Sequence, residues 1–439
     1  MTPHASAMLA HEARALLARL ARVGPFALHE PMVPAAALLP SAQSAIERYL
    51  VEGRQQLHHL VRGFLTWLGQ SPGVSAEEAQ RRFALLRLQF NTVLTQFELF
   101  RSVVTQRSEH ETGVWLSGLD VVSADALTLA GGYYRAPPVI CYLDRGVGAA
   151  IRRARTRLPG GGMNPVAIIR VPRERMVGSG IASSLVHEVG HQAAALLGLV
   201  ASIRPTLQGM QRGSGADRFA WVLWERWISE VLADFWSIGR LGVVSTLGLM
   251  GVVSLPRPFV FRLNADDPHP MPWLRVVLSC EMGNALYPHP QWAALRELWE
   301  SFYPLRHGPL EHRRIFEQLR GTMPAFVAVL ANHRVANLRG RSLAEALDVG
   351  VRQPGRLARL YRVWCSNPAA MYNAAPTLVF AVLGQARMDG HVGPEEESDV
   401  FAKLLTHWAL RSTLDTSLAC ANAQASDGLS RVLRLTESA

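Results

Sequence analysis

The sequence predicts a predominantly α-helical α+β protein with a small sheet, on three observations. Apolar residues recur near a 3.6-residue period through residues 1–110 and again from Gly180 onward. Three short stretches rich in β-branched or aromatic side chains lie between them, each bounded by turn residues. Hydrophobic residues make up 49% of the 439-residue chain, enough for a core shared by roughly two or three packed units.

Taken in order, residues 44–68 set Ile46, Leu50, Leu57, Val61 and Phe64 on one helical face, and Ser71-Pro72-Gly73 ends the run. A second amphipathic helix starts at Ala76, with Phe83, Leu86, Phe90, Val93 and Phe97 on one stripe. Residues 1–112 are thus expected to form a helical N-terminal region. VWLSGLDVV (114–122), PVICYLD (138–144) and PVAIIRV (165–171) read as strands of a small sheet. A helix follows from Gly180 to about Val200. Arg204-Pro205 and the glycine-rich GMQRGSG (209–215) separate it from a second helix over about 217–238. LGVVSTLGLMGVVSLP (241–256) is sixteen uncharged residues long. A membrane-spanning helix needs about 20, and three glycines and Pro256 make a buried core helix the better reading. After a proline-rich loop to Pro272 the pattern is helical to the end, with breaks near Pro288-His289-Pro290, at Pro354 and at 388–394. Residues 113–285 are expected to be the core region and 286–439 a helical C-terminal region. No internal repeat is visible.

Composition excludes several function classes. The net charge is +10, and Lys403 is the only lysine among 45 basic side chains. The arginines are scattered rather than interleaved with aromatics, which argues against nucleic-acid binding. The four cysteines form no CxxC pair, which fits a reducing cytoplasm. His4, His11, Glu12 and Arg14 interrupt any apolar signal segment. Membrane contact and nucleic acid are therefore not expected as partners; a peptide or protein substrate is.

The chemistry is concentrated in SSLVHEVGHQAAALLGLV (183–200). Residues four apart share a helix face, so His187 and His191 can aim ring nitrogens at one metal ion. Glu188, turned about 100° from His187, falls beside the ion, where it can take a proton from a metal-bound water and pass it to a leaving amine. Apolar or small neighbours on both sides make the helix look buried, and two buried imidazoles with a carboxylate demand partners. One Zn2+ ion satisfies all three. In WISEVLADFWSIG (227–239), Glu230 and Asp234 stand at i and i+4. Glu230 is expected as the third ligand, with Glu225 as the fallback. Asp234 is expected behind the ligands, fixing a histidine tautomer. His269 and Arg275, in DDPHPMPWLR (266–275), are expected on the oxyanion or substrate side.

Together HEVGH (187–191), EVLAD (230–234) and HPMPWLR (269–275) resemble the gluzincin metallopeptidases. Within them the resemblance is to the group containing the CAAX prenyl endopeptidases and the HtpX-type heat-shock membrane proteases. It covers about residues 165–280. It implies a zincin-like core over 113–285, with His187, His191 and Glu230 as ligands, Glu188 as base, and Asp234 and His269 in support. It also implies that PVAIIRV is an edge strand that pairs with substrate backbone. That group carries clear transmembrane helices and this chain shows none, so the resemblance speaks to core and metal chemistry rather than substrate. The expected function is zinc-dependent hydrolysis of peptide bonds. The alternatives are a non-peptidase zinc hydrolase or amidase, and a catalytically silent, metal-stabilised interaction protein.

Elsewhere the residues carry bland explanations. Glu395–Glu397 suit a helix N-terminus after a turn at Asp389-Gly390. Trp221, Trp224 and Trp227 form a packing stripe. His58 and His59 point to different sides of their helix.

Overall fold

A computed structural model describes residues 1–146, 148–173, 178–264 and 266–436. It is mostly helical with one three-stranded sheet.

Three long helices come first: α1 (Pro3–Arg22), α2 (Pro40–Gln70) and α3 (Ala76–Thr105). α3 begins where the Ser75 side chain accepts the Glu78 N–H at 3.1 Å, with Glu77 and Glu78 in the first turn. The stripes Ile46, Leu57, Val61 and Phe83, Phe90, Phe97 interlock, and together with Leu9 and Leu16 they make a distinct core.

The region 114–122 is a helix, not a strand. α4 (His110–Leu127) is buried on nearly every side. Apolar residues all round a helix erase the 3.6 period, which is why this segment reads as a buried strand. Gly118 permits the burial: a Cβ there would stand 2.5 Å from the Leu405 carbonyl oxygen.

The other two expected strands are present as β1 (Val139–Asp144) and β3 (Ala167–Pro172), and a third, β2 (Ala150–Arg152), escaped the sequence reading. Only three residues long, β2 has no run from which to read alternation. β1 and β3 are parallel, paired from Val139 with Ala167 to Asp144 with Pro172. β2 runs antiparallel on the other side, so the order is β1-β3-β2. PVAIIRV is therefore the central strand; the open edge belongs to β2. Ile140 and Ile168, on one sheet face, join the N-terminal core. Cys141, Leu143, Ile169 and Val171, on the other, join the main core.

The main core is organised around α5 (Gly180–Leu197), which Gly198 closes in a left-handed cap (φ 67°). α6 (Leu199–Gly213) runs straight through Pro205 and Gly209, where loops were expected; buried Leu199, Ile203 and Leu207 hold its face down. The helix expected over 217–238 is two, α7 (Arg218–Arg226) and α8 (Ile228–Leu241), hinged at Trp227. Gly242, at φ 63° and ψ −138°, turns the chain into α9 (Val243–Val253) in a conformation open only to glycine. α9 is mostly buried, and no helix among the described residues is long and apolar enough to cross a membrane. α10 (Arg257–Val260) and a loop lead to α11 (Pro272–Leu286). The remaining helices are α12 (Gln291–Phe302), α13 (Arg313–Asn332), α14 (Leu343–Ala346), α15 (Pro354–Ser366), α16 (Pro368–Tyr372), α17 (Pro376–Met388) and α18 (Pro394–Thr436). Trp273, Trp299, Phe316 and Phe326 extend the same core into this part. Residues 437–439 lie outside the described chain.

Candidate metal centre

α5 packs with α8 on one side and α9 on another, and small residues set the distance. A Cβ on Gly190 would lie 2.8 Å from Ala233 Cα and 2.9 Å from its carbonyl oxygen. That close approach brings the His187–His191 face against the Glu230–Asp234 face. The two imidazoles stand edge to face, centroids 4.9 Å apart. One ligand atom each from His187, His191 and Glu230 lie within 4.8 Å of one another, the arrangement a metal ion requires. His187 Nε2 is 3.3 Å from Glu230 Oε2, and His191 Nε2 is 3.4 Å from Oε1.

The donor set fits a cation. Glu230 Oε2 is buried and faced only by the ring nitrogens of His187 and His269; a carboxylate so placed is costly unless a positive charge meets it. The His187 Nε2 atom faces Oε2 and the His191 Nε2 atom faces Oε1, while each Nδ1 is occupied elsewhere. His187 Nδ1–H donates to Asp234 Oδ1 at 2.7 Å. His191 Nδ1 lies 3.4 Å from Ser229 Oγ. Such a bond on one ring nitrogen leaves the other with a lone pair for metal.

Asp234 stands behind His187 as the sequence suggests, and the structure adds its partner. Arg275 grips Asp234 with both arms, Nε to Oδ2 at 2.6 Å and Nη2 to Oδ1 at 2.7 Å. The sequence reading put this guanidinium on the substrate side; the fork is committed to Asp234 instead. His269 reaches the site from the loop before α11. Its Nε2 is 3.2 Å from Glu230 Oε2, and Asp267 Oδ1 accepts both its Nδ1–H (2.8 Å) and its backbone N–H (2.9 Å). Its side chain is 47% exposed, so it forms part of the rim. Glu225, the fallback ligand, is elsewhere: it accepts from Gln208 and Gln211.

Glu188 is buried on α5 beside the cluster. Gln192, four residues on, shares its face, and Gln192 Oε1 accepts the Ala154 N–H at 2.7 Å. The chain leaving β2 is thus tied to the helix on the Glu188 side.

Electrostatics match the geometry. Burial works against protonation of His187, but the Asp234 charge and the bonds to Asp234 and Glu230 win, holding its pKa up at about 9. Burial works against ionisation of Asp234, but the Arg275 and His187 charges hold its carboxyl well below the usual range. Glu230 is likewise held low against its burial, by the ring nitrogens of His187, His191 and His269 that face it. The bond to Glu230 is the main influence raising His269, with burial opposing it.

Of the residues that sequence reasoning placed, His187, His191, Glu230, Asp234 and His269 are brought into contact here, and Glu188 is near enough for its charge to act on Arg275. Sequence reasoning missed Ser229, the Gln192 tie and the true partner of Arg275. Ser229 directly precedes Glu230, a spacing that could have flagged it; Arg275 and Asp234 are joined only by tertiary packing. No protein-family model, curated protein or solved structure matches this chain.

Proposed function

We propose that this protein is a zinc-dependent metallopeptidase with a zincin-like core, in which His187, His191 and Glu230 hold one Zn2+ ion. The observation that carries the reading is the convergence of the His187 and His191 Nε2 atoms on the two oxygens of the buried Glu230 carboxylate, with Glu188 next to His187 on the same helix. Two imidazoles and one carboxylate suit zinc, and three protein ligands leave a position open. When bound, zinc supplies a Lewis acid that brings the pKa of a coordinated water to about 7. Glu188 is the general base and then the acid that protonates the departing amine. Asp234 fixes the His187 tautomer, and Arg275 holds Asp234 ionised and in place. Arg275 therefore acts through His187, not on substrate. His269 lies on the open side, where its N–H can meet a substrate oxygen. The exposed edge of β2, tied to the Glu188 side of α5, is the place for an extended peptide to add by strand pairing. Four cysteines, all unpaired, suit a reducing compartment such as the cytoplasm.

The test is Glu188→Gln. Metal analysis should find one zinc per chain in both proteins, while cleavage of a peptide library should drop on the order of 10²–10⁴-fold in the variant. Zinc-loaded native protein that cleaves nothing would point to a silent, metal-stabilised protein. Metal content that is zero, or unchanged by His187→Ala, would overturn the whole reading.

A further inference from the structure

A cavity of about 710 Å³ lies apart from the metal cluster, where the first turns of α2 meet α4 and the start of β1. That volume is in the range of small-molecule sites, and such sites favour the seam between packed units. Here the seam is the one between the two cores.

Ala42, Ala45, Val121, Ala124, Val139 and Ile140 give the lining an apolar, small-featured part, beside hydroxyls such as those of Ser117 and Thr128. The charge at its mouth is one-sided. Arg48, Arg135 and Arg155 line it, and none has an ion-pair partner among the described residues. The one carboxylate in the lining, Asp120, is already answered by Arg107 at 2.9 Å and by the Cys141 N–H at 2.7 Å. Arg155 holds a φ of 60°, a left-handed conformation rare outside glycine. Its guanidinium donates to the Arg135 backbone carbonyl at 3.2 Å, which ties the two segments together at the cavity. An adjoining cavity of about 390 Å³ shares Ala45, Arg48 and Pro165 and is lined by Tyr49, whose buried hydroxyl has no hydrogen-bond partner.

We infer that this cavity binds a small amphiphilic anion, its charged head at Arg48, Arg135 and Arg155 and its apolar body on the small-featured part of the lining. The inference does not depend on the metal centre. Guanidinium forks match carboxylate and phosphate heads, and the alanine, valine and isoleucine part of the lining suits a hydrocarbon body.

The test is isothermal titration calorimetry on the full chain, stripped of metal so that no carboxylate can be held at the zinc ligands. The probes are octanoate, octanol and inorganic phosphate. Octanoate should bind saturably at one site, and octanol and phosphate about tenfold more weakly or worse. Arg48→Ala combined with Arg135→Ala should weaken octanoate by about tenfold or more. Both side chains are exposed, so the thermal midpoint of the unliganded protein should not move. Unsaturable octanoate binding would overturn the inference. So would octanol or phosphate binding as tightly as octanoate, or a double variant that binds octanoate like the native chain.

Discussion

Asp234 carries two obligations at once: it holds His187 Nδ1 and answers Arg275. Its neutral isostere keeps the shape and loses the charge, so Asp234→Asn should weaken metal binding by roughly 10–100-fold, read by competition with a fluorescent chelator. Arg275→Ala should act in the same direction with Asp234 intact; unchanged metal affinity in both would remove the relay from the site. The pH dependence has a definite sign. In metal-free protein the His187 pKa stands at about 9 against an ordinary 6.5. The stability it contributes is full below 6.5 and is lost as pH rises through about 9. Glu230 and Asp234 are held low, so theirs is present above their ordinary 4.5 and 3.8 and is lost as pH falls. With chelator present, the thermal midpoint should fall between pH 6.5 and about 9, and the fall should be smaller in His187→Gln. Metal should bind tighter across the same interval, because it must displace the proton. Most of these residues are legible in the sequence because helical spacing alone puts them on shared faces. Arg275 is legible as a residue but not as a partner: the loop that carries it back to Asp234 has no period to read.

The α5–α8 pair is the element on which the centre is built, and Gly190 decides how close it can be. Alanine is ordinarily the better helix former, by about 1 kcal/mol. Here its methyl would meet Ala233 backbone, and overpacking of that kind costs about 1–3 kcal/mol. The clash should win. Gly190→Ala is expected to be less stable to urea and to bind less zinc, since the histidine and glutamate faces are pushed apart. A variant as stable and as metal-rich as the native chain would show the interface to be looser than it looks. The sequence marks both helices and the HExxH register, but not this reason for the glycine. It also fails at α4, where uniform burial hides the helical period, and at β2, whose three residues decide which strand is the sheet edge.

At the scale of the molecule, two cores meet across one sheet, and the helices that carry His187, His191 and Glu230 belong to the larger core alone.

 α5 and α8 are both packed inside it. An ion that binds only the folded form therefore stabilises that core by mass action, about 2.7 kcal/mol at a hundredfold excess over Kd. Chelation should lower the thermal midpoint of the native protein and leave His187→Ala, already without metal, where it was. Equal responses would mean that the ion is not held at these residues. None of this global arrangement can be read from the chain, because which helix meets which is set by side-chain shape over long sequence separations rather than by local pattern. One feature of that arrangement governs how the ion arrives. His269 stands half in solvent on a loop at the rim, while everything behind the histidines is tightly packed. The cluster itself reaches solvent only slightly, with the His187 and His191 side chains 12% and 15% exposed, so the rim is the short way in. Loading should then follow folding rather than accompany it: stripped protein should regain zinc at a rate set by collision and by movement of one loop, and that rate should not rise when mild denaturant increases the frequency of global opening.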